Sequence, residues 1–295
     1  MKTMKCIDKW VDDMVSMPSS SKEQNEALKE QLMRKELSLD QCRISIKNEQ
    51  IVSRIVIDDA RAFLGYFTIE DLTQQECDEI MIEILAQLDR SREWRIDLYS
   101  DKVHYDVIHQ TLQRYLSIEI LRESYVKMTA PQALDGFTFQ SAHRMEKEGL
   151  LELMMRASDS TLDIMLQREQ QNGLRASVEE RMQDLFDNEA SDELFQVLLL
   201  QERPVGFVAV NALVDTIGGI GYIGVDPVWQ GNHYGAILLK KALDMSYHHG
   251  ITKLIGDIDV HNFAIRGNLH ACGFHLDCKQ SIFLLDAVNK TVDKS

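Results

Sequence analysis

Between Val225 and Ala236 the chain reads Val-Asp-Pro-Val-Trp-Gln-Gly-Asn-His-Tyr-Gly-Ala. The apolar run from Ile220 to Val225 predicts a strand, Pro227 breaks it, and a helix is expected from Tyr234 to Tyr247. A junction of this kind aims free backbone N–H groups and the positive end of a helix dipole at one point, which binds phosphate without a basic side chain. Gly231 and Gly235 let that backbone turn with φ > 0 and approach a ligand closely. Some twenty residues on, Asp257 and Asp259 stand two apart in a predicted strand, Leu254 to Val260, and so share one face. Two carboxylates there are costly unless solvated or paired. A cleft explains them, and a frayed strand end at which Asp259 meets water is the alternative.

Asn262 then opens a short predicted helix that closes on Gly273-Phe274. The loop Gln230–Ala236 followed by the segment Asn262–Phe274 resembles the two motifs of the GNAT superfamily of acyl-CoA-dependent N-acyltransferases. That family's loop has the pattern R/Q-x-x-G-x-G/A. His233 stands where the pattern prefers glycine, a departure costing roughly 1–2 kcal/mol if a left-handed φ is needed there. The resemblance runs from about Phe137 to the C-terminus. It implies that Gln230, Gly231, Asn232, His233, Tyr234, Gly235 and Ala236 hold the pyrophosphate of acetyl-CoA. The backbone of Ile223 and Val225 would pair with the pantetheine arm and polarise the thioester carbonyl. Asn262 would contact the arm.

Acyl transfer to an amine needs the neutral nitrogen, whereas an alkylammonium is mostly protonated near neutrality. The branch of the family that acetylates ribosomal protein N-termini carries a Glu five residues before the motif Asn, and Asp257 occupies that position here. Many members place a Tyr seven residues after the Asn as general acid; this chain has Leu269. Tyr234, His270 or water remain as stand-ins.

The elements around these motifs suggest a duplication. Residues 1–135 contain one glycine, Gly65, and the other 14 of 15 follow. Gly65–Gln74 aligns with Gly221–Gln230 at an offset of 156 (221 − 65), and Val103-His104, Ile108 and Leu112 align with Val260-His261, Ile265 and Leu269 at 157 (260 − 103). The first copy predicts a helix from Gln74 to Leu88, a strand from Trp94 to Tyr99, a helix from Val103 to Tyr115 and a strand from Ile118 to Met128. Where the second copy has its loop, the first has Gln74-Gln-Glu-Cys-Asp-Glu-Ile80, without glycine, and Thr73 with Glu76 forms a capping box that occupies the helix's own amides. The expected fold is therefore α/β, two tandem GNAT-like mixed sheets flanked by helices. The expected domains are 1–130, degenerate and without a CoA site, and 136–295, catalytic, with Pro131–Gly136 as linker. Met1 to Gln41 is expected to supply helices without an opening strand. In the second copy a strand over Phe137–His143, helices through Asn188 with a capping box at Ser177–Glu180, and a hairpin around Gln201–Pro204 are expected.

A net charge of −15 argues against a nucleic-acid partner and is compatible with a cationic substrate. No apolar run is long enough for a membrane span, and no signal peptide opens the chain. Five cysteines without paired spacing read as reduced thiols of a cytoplasmic protein, and the nine histidines do not repeat at ligand spacing, so no metal is expected. The function that follows is acetyl-CoA-dependent N-acetylation of a primary amine, on a small-molecule or peptidyl acceptor, by direct transfer in a ternary complex. The alternative is a non-catalytic acyl-CoA-binding or interaction module.

Overall fold

The computed structural model describes residues 1–159, 161–187, 191–214 and 216–287. Asn188, expected to end the helical segment, and residues 288–295 of the expected catalytic domain lie outside them. The chain forms two compact units, Met1–Leu121 with Lys279–Ser295, and Arg122–Cys278.

The same order of elements occurs twice. The first series is β1 (Lys2–Lys5), α1 (Val11–Met14), α2 (Lys22–Met33), β2 (Cys42–Lys47), β3 (Gln50–Asp58), β4 (Phe63–Ile69), α3 (Gln74–Leu85), β5 (Trp94–Tyr99), α4 (Tyr105–Tyr115) and β6 (Ile118–Met128). The second is β7 (Thr138–Ser141), α5 (Lys147–Ser158), α6 (Ile164–Glu169), α7 (Leu174–Phe186), α8 (Ser191–Leu194), β8 (Phe195–Leu200), β9 (Arg203–Val214), β10 (Ile217–Val225), α9 (Tyr234–His248), β11 (Lys253–Asp259), α10 (Phe263–Ala271) and β12 (His275–Leu285). Each series is a strand, helices, three antiparallel strands, then helix, strand, helix, strand.

In the first unit the strands run β1-β2-β3-β4-β5-β12, in the second β7-β8-β9-β10-β11-β6. The last strands are thus exchanged. β12 pairs antiparallel with β5 through Gln280–Leu285, and β6 pairs antiparallel with β11 through Arg122–Met128. Burial along β12 records the change, since residues 275–279 are mostly exposed and 280–285 buried. The compact units consequently do not break at Pro131–Gly136. Strand periodicity marks β6 and β12 as strands but carries no label for the edge each will join.

Each sheet is covered on both faces. In the first unit Ile80, Ile84, Ile108 and Leu112 of α3 and α4 pack on one face, and Met14 and Leu28 of α1 and α2 on the other. In the second, Leu238, Leu239, Ala242 and Leu243 of α9, with Leu269 of α10, cover one face, and Leu150, Met154, Val178 and Met182 of α5 and α7 the other. The four α9 positions follow the i, i+1, i+4, i+5 spacing of one helical face.

Three local expectations need correction. An opening strand does exist: Lys2–Lys5 adds to the edge of β2, held by backbone pairing that four largely polar residues do not advertise. Ser177 does not start a helix, because Gly173, with φ 111°, already serves as the N-cap of α7 three residues after Gln170. The hairpin turn is only Gln201-Glu202, both left-handed (φ 49° and 66°), and Pro204 lies inside β9 beside a register shift, where a missing N–H is tolerated.

Candidate active site

The parallel strands β10 and β11 pair only from Ile217–Gly219 to Lys253–Ile255. Beyond Gly219 and Ile255 they part, so Ile220–Val225 and Gly256–Asp259, each paired on its outer edge, turn their facing backbone edges to a gap. A bulge in β10 lies at the same point, with the register to β9 shifting between Ile220 and Tyr222. Its effect is visible in the packing. Ile220 and Ile223, three residues apart, both face the α9–α10 layer, and Tyr222 between them faces α5 and α7.

The gap opens into a cavity of about 400 Å³ lined by Ile223, Val225, Trp229, Gln230, Gly231, His233, Tyr234, Gly235, Asn262, Ala264, Ile265 and Asn268. Eight of the residues singled out from sequence therefore converge. Asn232, Ala236 and Asp257 are not among the lining residues. The Asn232 side-chain amide donates to the carbonyls of Trp229 (3.1 Å) and Gln230 (3.2 Å), stapling the loop from within, and the Ala236 carbonyl accepts from the Cys272 thiol.

Local chemistry explains the loop's shape. Buried Asp226 caps the short 3-10 turn Pro227–Trp229 by accepting from Val228 N (3.1 Å), and is itself held by Arg156 Nε at 2.7 Å. Gln230 Nε2 donates back to the Val225 carbonyl (3.2 Å). Gly231 then turns with φ 80°, and His233 takes φ 62° as the N-cap of α9, without a side-chain cap on the helix. The left-handed geometry required of His233 is thus adopted. Gly235 faces Asn268 so closely that a Cβ there would lie 2.4 Å from its Nδ2. Asn268, Trp229, Ala264 and Ile265 were not singled out from sequence. Asn268 follows Ala264 by four residues and Ile265 by three, a spacing that places the three on one face of α10.

Asn262 caps α10, its Oδ1 accepting from Ile265 N at 3.3 Å. Leu269 is buried in the α9–α10 core. The two β11 carboxylates differ. Asp259 is 0% exposed and accepts from His261 N (2.8 Å), His261 Nδ1 (3.0 Å) and Ile164 N (3.2 Å), so a frayed end is excluded for it. Asp257 is exposed, and Arg122 Nη2 donates to its carbonyl at 2.8 Å. Both lie on the α5–α7 side, opposite Gly256, whose Cβ direction meets Ile220 and Leu269. Nearby, the Tyr222 hydroxyl hydrogen-bonds Ser158 Oγ, and burial raises its pKa, keeping it protonated.

The first unit parts its strands too, β4 and β5 pairing only at Phe63–Arg95 and Leu64–Ile96. At its helix, however, Thr73 Oγ1 accepts from Glu76 N, and the Glu76 carboxylate accepts from Thr73 N (3.0 Å) while also binding Lys47 Nζ. Among the described residues no three His, Cys, Asp or Glu side chains gather as a metal site, and no helix is long and apolar enough to cross a membrane.

Residues 161–274 match the model of the acetyltransferase (GNAT) family. No curated protein sequence matches the chain significantly. Among solved structures, the chain is similar to a GCN5-related N-acetyltransferase from Sphaerobacter thermophilus (TM-score 0.63, 12% identity, 96% of this chain and 94% of that one). It is also similar to a GNAT-family acetyltransferase from Colwellia psychrerythraea (0.53, 13%, 83% and 85%) and to a tandem GNAT protein from the clavulanic acid biosynthesis pathway (0.52, 10%, 95% and 94%). At such identities these likenesses concern the fold. With the parted strands, the glycine loop and the family match on the same residues, the segment 161–274 is an acetyltransferase domain of the GNAT family.

Proposed function

We propose that the protein is an acetyl-CoA-dependent N-acetyltransferase with one active site per chain, in the second unit, acting on a primary amine of a small-molecule or peptidyl substrate. The observation that carries this reading is the cavity at the end of the parted strands, where Gly231 and Gly235 border a helix start with no side-chain cap. A pyrophosphate fits it because uncapped amides and the helix dipole attract anions, and because nothing lies within 4 Å of the place a Cβ would take at Gly231. Gln230, Gly231, His233, Tyr234 and Gly235 would border the phosphates, with Asn232 and Ala236 shaping the loop from behind. Ile223, Val225 and Asn262 would meet the pantetheine arm. Acetyl-CoA supplies the activated acyl group.

The acceptor's nitrogen attacks the thioester carbonyl carbon as the C–S bond breaks. Asp257, exposed on the opposite side of β11 from Gly256, takes the proton that the ammonium must lose. The proton that the nitrogen still carries after the attack passes through water to the thiolate, since Leu269 offers none. The first unit is a degenerate copy without a CoA site, supported by the capped start of α3. A cytoplasmic setting is supported by the buried, unpaired thiols, of which Cys42 and Cys77 are pushed by burial up to about 12. Leu269 is also the observation that favours the second reading, a module that binds acyl-CoA without turnover.

Calorimetry with acetyl-CoA should give one site per chain, and thiol release should appear across a panel of primary amines. Two equivalent sites would overturn the assignment of the first unit, and binding without thiol release would favour the non-catalytic reading. Asp257→Asn should lower kcat/KM by about tenfold or more, since a positioned base contributes factors of about 10²–10⁴, with acetyl-CoA affinity retained. Near-normal activity in that variant would remove Asp257 from the mechanism.

A further inference from the structure

Beyond Ile255, β11 has no pairing with β10, and its other edge is held by Arg122–Met128, the end of the strand that closes the first repeat in sequence. Arg122 lies opposite Asp259 in that ladder. Its side chain, only 14% exposed, is two-pronged: Nη1 donates to Asp163 Oδ2 at 2.8 Å, and Nη2 donates to the Asp257 carbonyl at 2.8 Å. Asp163 in turn caps α6, its Oδ1 accepting from Met165 N (2.9 Å) and Leu166 N (3.2 Å). The remaining leading amide, Ile164 N, donates to Asp259. The start of α6 therefore ends on two aspartates, one gripped by Arg122 and the other part of β11.

We propose that Arg122 is a positioning residue for the amine acceptor: it holds the start of α6 and the backbone of Asp257 in one arrangement. This rests on the transferase reading above. A planar guanidinium can bind a carboxylate with one nitrogen and a carbonyl with another, which the point charge of a lysine does poorly. Without it, the largely buried Asp163 would lose its cation while Asp257 and Asp259 stand close on β11, and the cap would have to move toward water. The first repeat, whose own helix start is capped, thereby contributes to the acceptor side of the second unit through the residue that begins its exchanged segment.

The test uses the full chain with Arg122→Gln and Arg122→Lys, acetyl-CoA, and spermidine, tyramine and Nα-acetyl-lysine as acceptors. Arg122→Gln should raise the KM of whichever amine is used by about tenfold or more, with the acetyl-CoA dissociation constant within about twofold of the parent. Arg122→Lys should recover part of the loss. Hydrogen exchange at Met165 and Leu166 should quicken by about tenfold or more in Arg122→Gln, because those amides lose a fixed acceptor. An unchanged amine KM, unchanged exchange at these amides, or a parallel loss of acetyl-CoA affinity would overturn the proposal. If the parent protein binds acetyl-CoA yet acetylates none of the three amines, the transferase reading is what fails. Unchanged exchange at Met165 and Leu166 would still refute the anchoring.

Discussion

Gly235 and Asn268 meet at the wall of the cavity, and the contact has a direct consequence. A Cβ at position 235 would overlap Asn268 Nδ2, so even alanine must displace that amide, and a β-branched residue would crowd the cavity wall further. Gly235→Val is expected to weaken acetyl-CoA binding by about a hundredfold or more, read by calorimetry, because an overfilled contact between two helices has little room to relax. Cys77→Ala, in the equivalent helix of the first unit, should leave binding unaltered; a comparable loss there would mean that the effect is global. His233 is the contrasting case. It holds a left-handed φ of 62° with a side chain attached, a strain of roughly 1–2 kcal/mol that glycine would not carry.

The helix starts of α3 and α9 show how one kind of element serves opposite ends. Both follow a strand that has parted from its parallel neighbour, yet α3 is sealed by Thr73, Glu76 and Lys47, and α9 has no side-chain cap. The hydrogen bond from Lys47, then those from Thr73, hold the Glu76 carboxyl well below the usual range, at about 2. A carboxylate whose folded pKa is depressed stabilises the fold above its unfolded value near 4.3, and that contribution is lost as pH falls toward the folded value. The melting-temperature difference between the parent and Glu76→Gln should therefore be fully present at neutral pH and shrink between about pH 4.5 and 2. Because Glu76 lies at the surface, added salt should also reduce it. A difference independent of pH would show that the pairing with Lys47 and Thr73 contributes nothing through charge.

Across the whole molecule the exchanged strands make each unit depend on both halves of the sequence. Cleavage within 130–136, a segment between β6 and β7 in which no residue is buried, leaves Arg122–Met128 paired with β11 and Gln280–Leu285 paired with β5. The two fragments are expected to remain together in gel filtration and to keep acetyl-CoA binding, separating only in denaturant. Residues 131–295 produced alone would lack the strand beside β11 and expose a row of unpaired backbone groups. That fragment should aggregate or fail to bind acetyl-CoA, and co-production with 1–130 should rescue it. Fragments that part on cleavage, each still folded, would show that the exchange does not hold them.

Most single elements and the glycine turn before α9 were legible in the sequence because they depend on near neighbours. Apolar periodicity predicts β5, β6 and α9, Thr73-x-x-Glu76 predicts the cap on α3, and Pro227, Gly231 and Gly235 predict the turn before α9. The glycine asymmetry between the halves likewise foretold which helix start would be left uncapped. Tertiary structure alone decided the rest. That Asp259 is buried against Ile164 and His261 while Asp257 meets solvent depends on where α6 lies, not on the spacing of two residues along a strand. That Asn268 joins the cavity depends on the close approach of α10 to α9. Above all, β6 and β12 are strands of 11 residues each, and which β-edge each one joins is settled by the surfaces that meet when the chain is folded. Periodicity records the face a side chain must bury; it carries no address for the partner across the hydrogen bonds.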